Sequence, residues 1–326
     1  MNLNATATFL APVQDDINAI EALMCSQAEG HHPDLQAAFN LLVSAGGKRI
    51  RPALTMLAGR MLGGEHPRLI KLTSAIEMLH TATLVHDDLI DGSLLRRGMP
   101  TLNSRWSPGA TVLTGDFVFA RAAYMAAETE SIAVMKLFSH TLTVIVEGEI
   151  NQLFSNRCKA DRPGYLNRIY SKTASLFETA AQSAALLSPN AGPEVIESMR
   201  LYGYHIGMAF QVVDDILDFT SDTAALGKPV GSDLRSGIVT LPAILYAEAH
   251  PNDPSAQDLL AGSCIQDLDR LDTLIASVRA SDAVSASHQE ARRYVEIALE
   301  ALNRIPACPE RQSLEDLARY IVQREF

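Results

Sequence analysis

The sequence predicts an all-α fold: one large helical bundle in which two aspartate-rich helix ends face a central cavity. Three observations carry this. Apolar residues recur at helical spacing along most of the 326 residues. No segment makes a convincing strand. Thr111–Val118 and Thr141–Val146 are rich in β-branched residues, but both lie inside longer runs with helical spacing. Finally, the stretch His86-Asp87-Asp88-Leu89-Ile90-Asp91 is nearly repeated as Val213-Asp214-Asp215-Ile216-Leu217-Asp218, each time after an apolar run. Two copies so far apart are not a short-period array, so no solenoid is expected. No linker marks a boundary. Residues 1–326 are expected to form a single domain, with 1–15 as a loose arm.

Taken in order, helical periodicity begins near Asp15, with Ile17, Ile20, Leu23 and Met24 on one face. A second helix covers about Asp34 to Ala45 and stops at Gly46-Gly47. Pro52 suits the first position of the next, which runs to Leu62. A long helix from about Pro67 to Asp91 carries the first acidic motif at its end. Gly92 to Ser107 is a loop punctuated by Gly98, Pro100 and Asn103. Helices follow at about Pro108–Glu128, Ser131–Asn156 and Gly164–Ser188. After the turn at Ser188–Pro193, a helix from Glu194 to about Phe219 carries the second motif. Thr220 to Thr240 is a polar loop, and Pro242 opens a helix to His250. The remainder, about Ser255 to Phe326, is helical pieces broken by Pro306 and Pro309.

Apolar content of 47% and charged content of 20% allow a sizeable core. The formal net charge of −11 argues against a nucleic-acid partner. It leaves anionic substrates open, because bound cations can invert the local field. Cys25, Cys158, Cys264 and Cys308 lie far apart, with no Cys-x-x-Cys pair. They suggest neither a zinc site nor a disulfide framework, and a reducing compartment fits. With no signal peptide and no membrane-spanning run, a cytoplasmic location is expected.

The acidic motifs carry the chemistry. On a helix, Asp87 and Asp88 both lie beside Asp91, and Asp214 and Asp215 beside Asp218. Two like charges ~5 Å apart repel by about 3 kcal/mol at an effective dielectric of ~20. A solvated acidic face would explain one such triplet; two, each on an apolar helix, call for a cation. All-oxygen ligation by carboxylates and water points to magnesium, shared with substrate phosphates. Lys48, Arg49 and Arg51 follow Gly46-Gly47 without the spacing of a Walker loop; a basic surface turn is the competing reading. Arg96-Arg97 lies where it can fold back over the first motif and suits bidentate phosphate recognition. His80 lies two turns before Asp87. Glu77-x-x-His80 raises a di-iron reading, but the second such pair, Glu29 to His32, contains Gly30 and precedes Pro33. Lys172-Thr173, Gln211, Lys228 and Gly148–Gln152 add polar groups, each of which, taken alone, is better explained by ordinary surface or core polarity.

Together these residues resemble the trans-isoprenyl diphosphate synthase family. The resemblance rests on Gly-Gly-Lys-Arg-Ile-Arg-Pro, His80, the first Asp-Asp-x-x-Asp with Arg96-Arg97-Gly98 and Pro100-Thr101, and Gly115-Asp116. It continues through Lys172-Thr173-Ala174, Gln211-x-x-Asp-Asp-x-x-Asp, Gly227-Lys228-Pro229 and Gly231-Ser232-Asp233-Leu234. It covers about residues 34 to 245, and the ending Leu317–Arg324 resembles longer-chain members more weakly.

The resemblance implies head-to-tail addition of isopentenyl diphosphate to an allylic diphosphate by a homodimer. It implies that Asp87, Asp91 and Asp214, supported by Asp88, Asp215 and Asp218, hold three magnesium ions per active site. Arg96, Lys172 and Lys228 would share the charge of the allylic diphosphate. Lys48, Arg51, His80 and Arg97 would bind isopentenyl diphosphate, and Thr173 and Gln211 would lie near the reacting carbons. Two positions depart from the pattern. Ile238 stands where many relatives carry lysine, and Gln152 where short-chain relatives often carry aspartate. Short-chain members place an aromatic residue four or five positions before the first aspartate; here these are Thr83 and Ala82. An open upper tunnel and a product longer than farnesyl diphosphate, handed to a membrane, are expected, with Tyr124 and Met125 as a deeper floor. The alternatives are a geranylgeranyl diphosphate synthase, a class I terpene cyclase and a non-catalytic subunit of a heteromeric synthase. A cyclase would replace the second triplet with an Asn/Asp-Ser/Thr-Glu motif, and a subunit could lack one acidic motif; both triplets are intact here.

Overall fold

A computed structural model describes residues 9–44, 47–96, 98–155, 158–221 and 229–324. Its first helices are α1 (Gln14–Ser26), α2 (Pro33–Ser44), α3 (Ile50–Met61) and α4 (His66–Ile90). After the first acidic motif come α5 (Pro108–Ala127), α6 (Ile132–Phe154) and α7 (Arg162–Ile169). A π turn, Tyr170–Ala174, leads directly into α8 (Ser175–Leu186). Next are α9 (Pro193–Thr220), the short α10 (Ser232–Arg235) and α11 (Leu241–Ala249). The chain closes with α12 (Pro254–Ala261), α13 (Leu268–Ala280), α14 (Ala283–Leu302) and α15 (Pro309–Gln323).

Two helices organise the bundle. α4 lies along α5, and α9 lies along α8 and α14, while α3 bridges the two halves by packing on both α4 and α8. Small residues set these approaches. Gly203 and Gly207 on α9 face α8 and the π turn; a Cβ on Gly207 would lie 2.5 Å from the Ala174 Cα. The side chains of Ser107, Ser131, Asp253 and Asp267 accept backbone N–H groups at the starts of α5, α6, α12 and α13, satisfying donors that a helix start leaves open.

Four local expectations change. Residues 9–15 are not loose: Phe9 and Val13 are fully buried, and Arg60 donates to the Pro12 carbonyl at 2.6 Å. Pro52 is the third residue of α3, because Arg49 serves as N-cap in the left-handed region at φ 48°. The loop after the first motif contains a strand pair, β1 (Leu95–Arg96) and β2 (Met99–Pro100), paired Leu95 to Pro100 and Arg96 to Met99. Two residues per strand are too few to show alternation. Lastly, Cys158 and Cys264 form a disulfide with Cα atoms 5.1 Å apart. Their separation of 106 residues carries no spacing signal. Tertiary packing joins them: the Ala160 amide donates to the Leu259 carbonyl at 2.8 Å, bringing the two loops together. The cysteines therefore lend no support to a reducing compartment. No helix among the described residues is long and apolar enough to cross a membrane.

Candidate active site

α4 ends inside the first acidic motif, where the Asp91 amide donates to the Asp87 carbonyl and Gly92 takes φ 65°. The β1–β2 hairpin then turns Arg96 back onto the helix. Its Nε lies 2.9 and 3.0 Å from the two oxygens of Asp88, and its Nη2 lies 2.8 Å from Oδ1. Asp88 is buried, so this two-pronged, charge-assisted pair holds it fast. Asp87 is different: Lys172 Nζ lies 3.5 Å from its Oδ2 and donates to Glu149 Oε1 at 2.7 Å. Burial pushes the Asp87 carboxyl up to about 6, against the pull of Lys172 and with added repulsion from Glu149 and Asp91. Burial works against the charge on Lys172, yet Asp87 and Glu149 together raise its ammonium above the ordinary lysine value. Asp91 is exposed.

The second motif divides in the same way. Asp218 accepts the Ser232 and Asp233 amides at 3.2 Å each, which anchors the start of α10. Asp215 is 3% exposed, with Oδ2 accepting from Tyr165 Oη and Oδ1 from Gln211 Nε2, both at 2.8 Å. Burial pushes its carboxyl up to about 8, with Asp233 adding repulsion and the two donors opposing. Asp214 keeps a partly exposed carboxylate whose Oδ1 meets Arg324 Nη2 at 2.9 Å. Six aspartates thus sort into three anchored ones (Asp88, Asp215, Asp218) and three with oxygens turned to solvent or to a cation (Asp87, Asp91, Asp214).

The π turn joins the halves. Its extra residue per turn lets two consecutive side chains serve different walls: Lys172 reaches Asp87, while Thr173 Oγ1 donates to Gln211 Oε1 at 2.7 Å. Such insertions recur at functional sites. The sequence implied one unbroken helix there, because a π turn leaves no mark in apolar spacing.

The basic loop forms the next wall. Arg49 is held by Glu21 at 2.6 Å, Glu77 at 3.8 Å and the Val43 carbonyl at 3.0 Å. Those partners stabilise its left-handed backbone and tie the loop to α4, one turn from His80. Lys48 is exposed, and the Arg51 guanidinium lies over the Phe177 ring at 4.5 Å. Gly115 allows His86 to close on α5, 3.6 Å from Asp116 and 3.2 Å from the Val112 carbonyl. Arg97 and Lys228 lie outside the described residues.

Among the chain-length candidates, Ala82 is fully buried in the core and Met125 nearly so. Thr83 Oγ1 donates to the His80 carbonyl at 2.7 Å. Tyr124 is 52% exposed in the single chain, beneath Arg121. A one-residue step turns a helix by about 100°, and sequence alone could not say which of the two faces inward. Gln152 lies one turn beyond Glu149, and it is Glu149 that joins the charged cluster. Ile238 closes the turn after α10 through its amide to the Asp233 carbonyl.

Two side chains missed by the sequence reading matter here. Tyr165 had no local signal. Arg324 ends the C-terminal stretch already singled out, but nothing tied it to Asp214. Its side chain is 1% exposed and stacks on Phe210 at 4.1 Å, and its Nη1 is buried with no hydrogen-bond partner among the described residues.

Among the described residues, no three His, Cys, Asp or Glu side chains converge to cage an ion by themselves. Glu77 lies 3.8 Å from Arg49. Open carboxylates on two facing walls suit magnesium. That hard ion is held by one or two carboxylates, its remaining positions filled by water and substrate phosphate.

Residues 32–277 match the polyprenyl synthetase family model. The octaprenyl diphosphate synthase of Escherichia coli strain K12 is 39% identical over 87% of this chain and 88% of its own. Heptaprenyl diphosphate synthase component 2 of Geobacillus stearothermophilus is 36% identical over the full length of both. The structure also superposes on the polyprenyl synthase of Caulobacter crescentus CB15 solved with calcium and isoprenyl diphosphate. Their TM-score is 0.88 at 34% identity, covering 98% of each chain. An all-helical fold, two facing aspartate motifs and full-length similarity lead to one conclusion: this chain belongs to the polyprenyl synthetase family of prenyltransferases.

Proposed function

We propose that the chain extends an allylic diphosphate, of farnesyl or geranylgeranyl type, with isopentenyl diphosphate to a long all-trans polyprenyl diphosphate. The carrying observation is the π turn that brings Lys172 to the first aspartate motif and Thr173 to the second. A diphosphate lying between the motifs meets carboxylates suited to magnesium on both sides and a lysine between them. Three ions, held by Asp87, Asp91 and Asp214, would neutralise the leaving diphosphate when bound.

The chain's own groups complete the task. Arg96 and Lys172 face the leaving group, with Lys228 from the adjoining loop. Lys48, Arg51, His80 and Arg97 receive the diphosphate of the second substrate, and the adjacency of Arg96 and Arg97 sets the two diphosphates side by side. Thr173 and Gln211 present polar oxygens near the allylic carbon. The apolar wall below Asp87, including Ala82, keeps water from the cation. The lost proton leaves with the released diphosphate, since no dedicated base is needed.

Chain length follows from the missing aromatic wedge at Ala82 and Thr83. The octaprenyl and heptaprenyl names of the relatives agree with it. Exposed Leu113, Ile132 and Val146 on α5 and α6 support a homodimer through that face. One observation favours a second reading: the Geobacillus relative is named a component, so a partner subunit is a competing arrangement.

The test is product analysis. Purified chain, magnesium and labelled isopentenyl diphosphate are incubated with dimethylallyl, geranyl, farnesyl or geranylgeranyl diphosphate. A ladder extending beyond geranylgeranyl is expected. A stop at geranylgeranyl would identify a geranylgeranyl diphosphate synthase, a cyclised hydrocarbon would identify a cyclase, and no product with any primer would favour the component reading.

A further inference from the structure

We propose that Tyr165 is a positioning residue for the second acidic motif. Its buried hydroxyl fixes the Asp215 carboxylate and, through Gln211, the hydroxyl of Thr173. The inference rests on the function proposed above.

Four side chains from three segments form one directed chain. Tyr165, on α7, donates to Asp215 Oδ2 at 2.8 Å; Gln211 Nε2, one turn earlier on α9, donates to Oδ1 at 2.8 Å; and Thr173, in the π turn, donates to Gln211 Oε1 at 2.7 Å. Both Asp215 oxygens accept hydrogen bonds here, so Gln211 turns its amide nitrogen to Asp215 and its oxygen to Thr173. The Thr173 proton is committed to Gln211, which leaves its lone pairs for other donors. Asp214 is the next residue, so the clamp also fixes the turn of α9 that carries it.

Stability does not account for this arrangement. Among the described residues no cation is paired with Asp215, and a buried carboxylate without one is costly. The Arg168 guanidinium sits over the Tyr165 ring at 5.5 Å and donates to the Val239 carbonyl at 2.7 Å, leaving the carboxylate to neutral donors. Replacing buried ionic groups with well-packed apolar residues of similar volume is often neutral or stabilising. What the polar chain supplies is a fixed direction for each group.

The experiment compares Tyr165→Phe with Tyr202→Phe in the full-length chain. Tyr202 is fully buried on α9 and donates to the Leu314 carbonyl at 2.7 Å, so its variant also loses one buried hydroxyl bond, but outside the directed chain. Three quantities are measured: Tm, kcat and KM for each substrate, and the affinity for inorganic pyrophosphate in magnesium by calorimetry. Both variants are expected to lower Tm. Only Tyr165→Phe is expected to lower kcat by about tenfold or more and pyrophosphate affinity by about fivefold, with KM for isopentenyl diphosphate unchanged. Adding Thr173→Val to Tyr165→Phe should then cost less than about threefold more, because the two act through one chain. Wild-type kcat and pyrophosphate affinity in Tyr165→Phe would overturn the proposal, as would equal losses in the two tyrosine variants. If the wild-type chain makes no product from any primer, the proposed function fails. Pyrophosphate titration then decides on Tyr165 alone: weakened binding confined to Tyr165→Phe sustains it, and unchanged binding overturns it.

Discussion

At the scale of single residues, the same side chain serves different purposes according to what meets it. Asp88 and Asp215 share sequence context with Asp87 and Asp214, yet Arg96 clamps one and Tyr165 with Gln211 the other. Local spacing shows that six carboxylates are present; it cannot show which are already satisfied. A histidine away from the motifs makes a testable case. His205 packs against Tyr204 and Tyr294, with Nδ1 buried and without a hydrogen-bond partner among the described residues. Burial, assisted by Arg200, holds its imidazole below the ordinary value of 6.5. A lowered folded-state value means protonation opposes folding: its contribution is complete above about pH 6.5 and is lost as pH falls through the lowered value. His205→Phe should therefore show a smaller drop in Tm between about pH 7 and 5 than the wild type, measured by thermal melts across that range.

At the scale of elements, two helix approaches carry the site. Gly207 lets α9 close on the π turn, where a Cβ would meet the backbone of Ala174. Backbone cannot give way as a flexible side chain can. Gly207→Ala should cost about 1–3 kcal/mol in denaturant unfolding by overpacking, and should lower kcat because Lys172 and Thr173 move together. The wall of α4 sets product length. Ala82 is fully buried about one and a half turns before Asp87. Ala82→Phe should shorten the products sharply, read from the same labelled-product separation. Unchanged length would show that Ala82 does not set it. Helix positions along α4, α5 and α9 were legible because apolar spacing and proline–glycine punctuation act within a few residues. The two-residue strands of the hairpin and the π turn were not. The first is too short for a pattern, and the second keeps a helical apolar face.

At the scale of the whole molecule, the Cys158–Cys264 link ties the loop before α7 to the segment after α12, closing a long stretch of chain. Chain-entropy arguments assign about 4–5 kcal/mol to a loop of ~100 residues, less where native strain or residual denatured-state structure intervenes. Reduction should lower Tm, and Cys158→Ser should melt at the reduced value with or without dithiothreitol. Identical melts of the oxidised and reduced wild type would show that the link contributes nothing to stability.

The residue types and their order along the chain were enough to establish an all-helical chain, the two acidic helix ends and the family to which they belong. Those features depend on neighbours within one or two helical turns. The fold alone decided which carboxylates are anchored, that Arg324 meets Asp214, that Tyr124 faces outward, that two cysteines pair, and that Tyr165 reaches Asp215. The Arg324–Asp214, Cys158–Cys264 and Tyr165–Asp215 meetings join side chains tens of residues apart, and only the packing of the helices and loops that carry them brings such groups together.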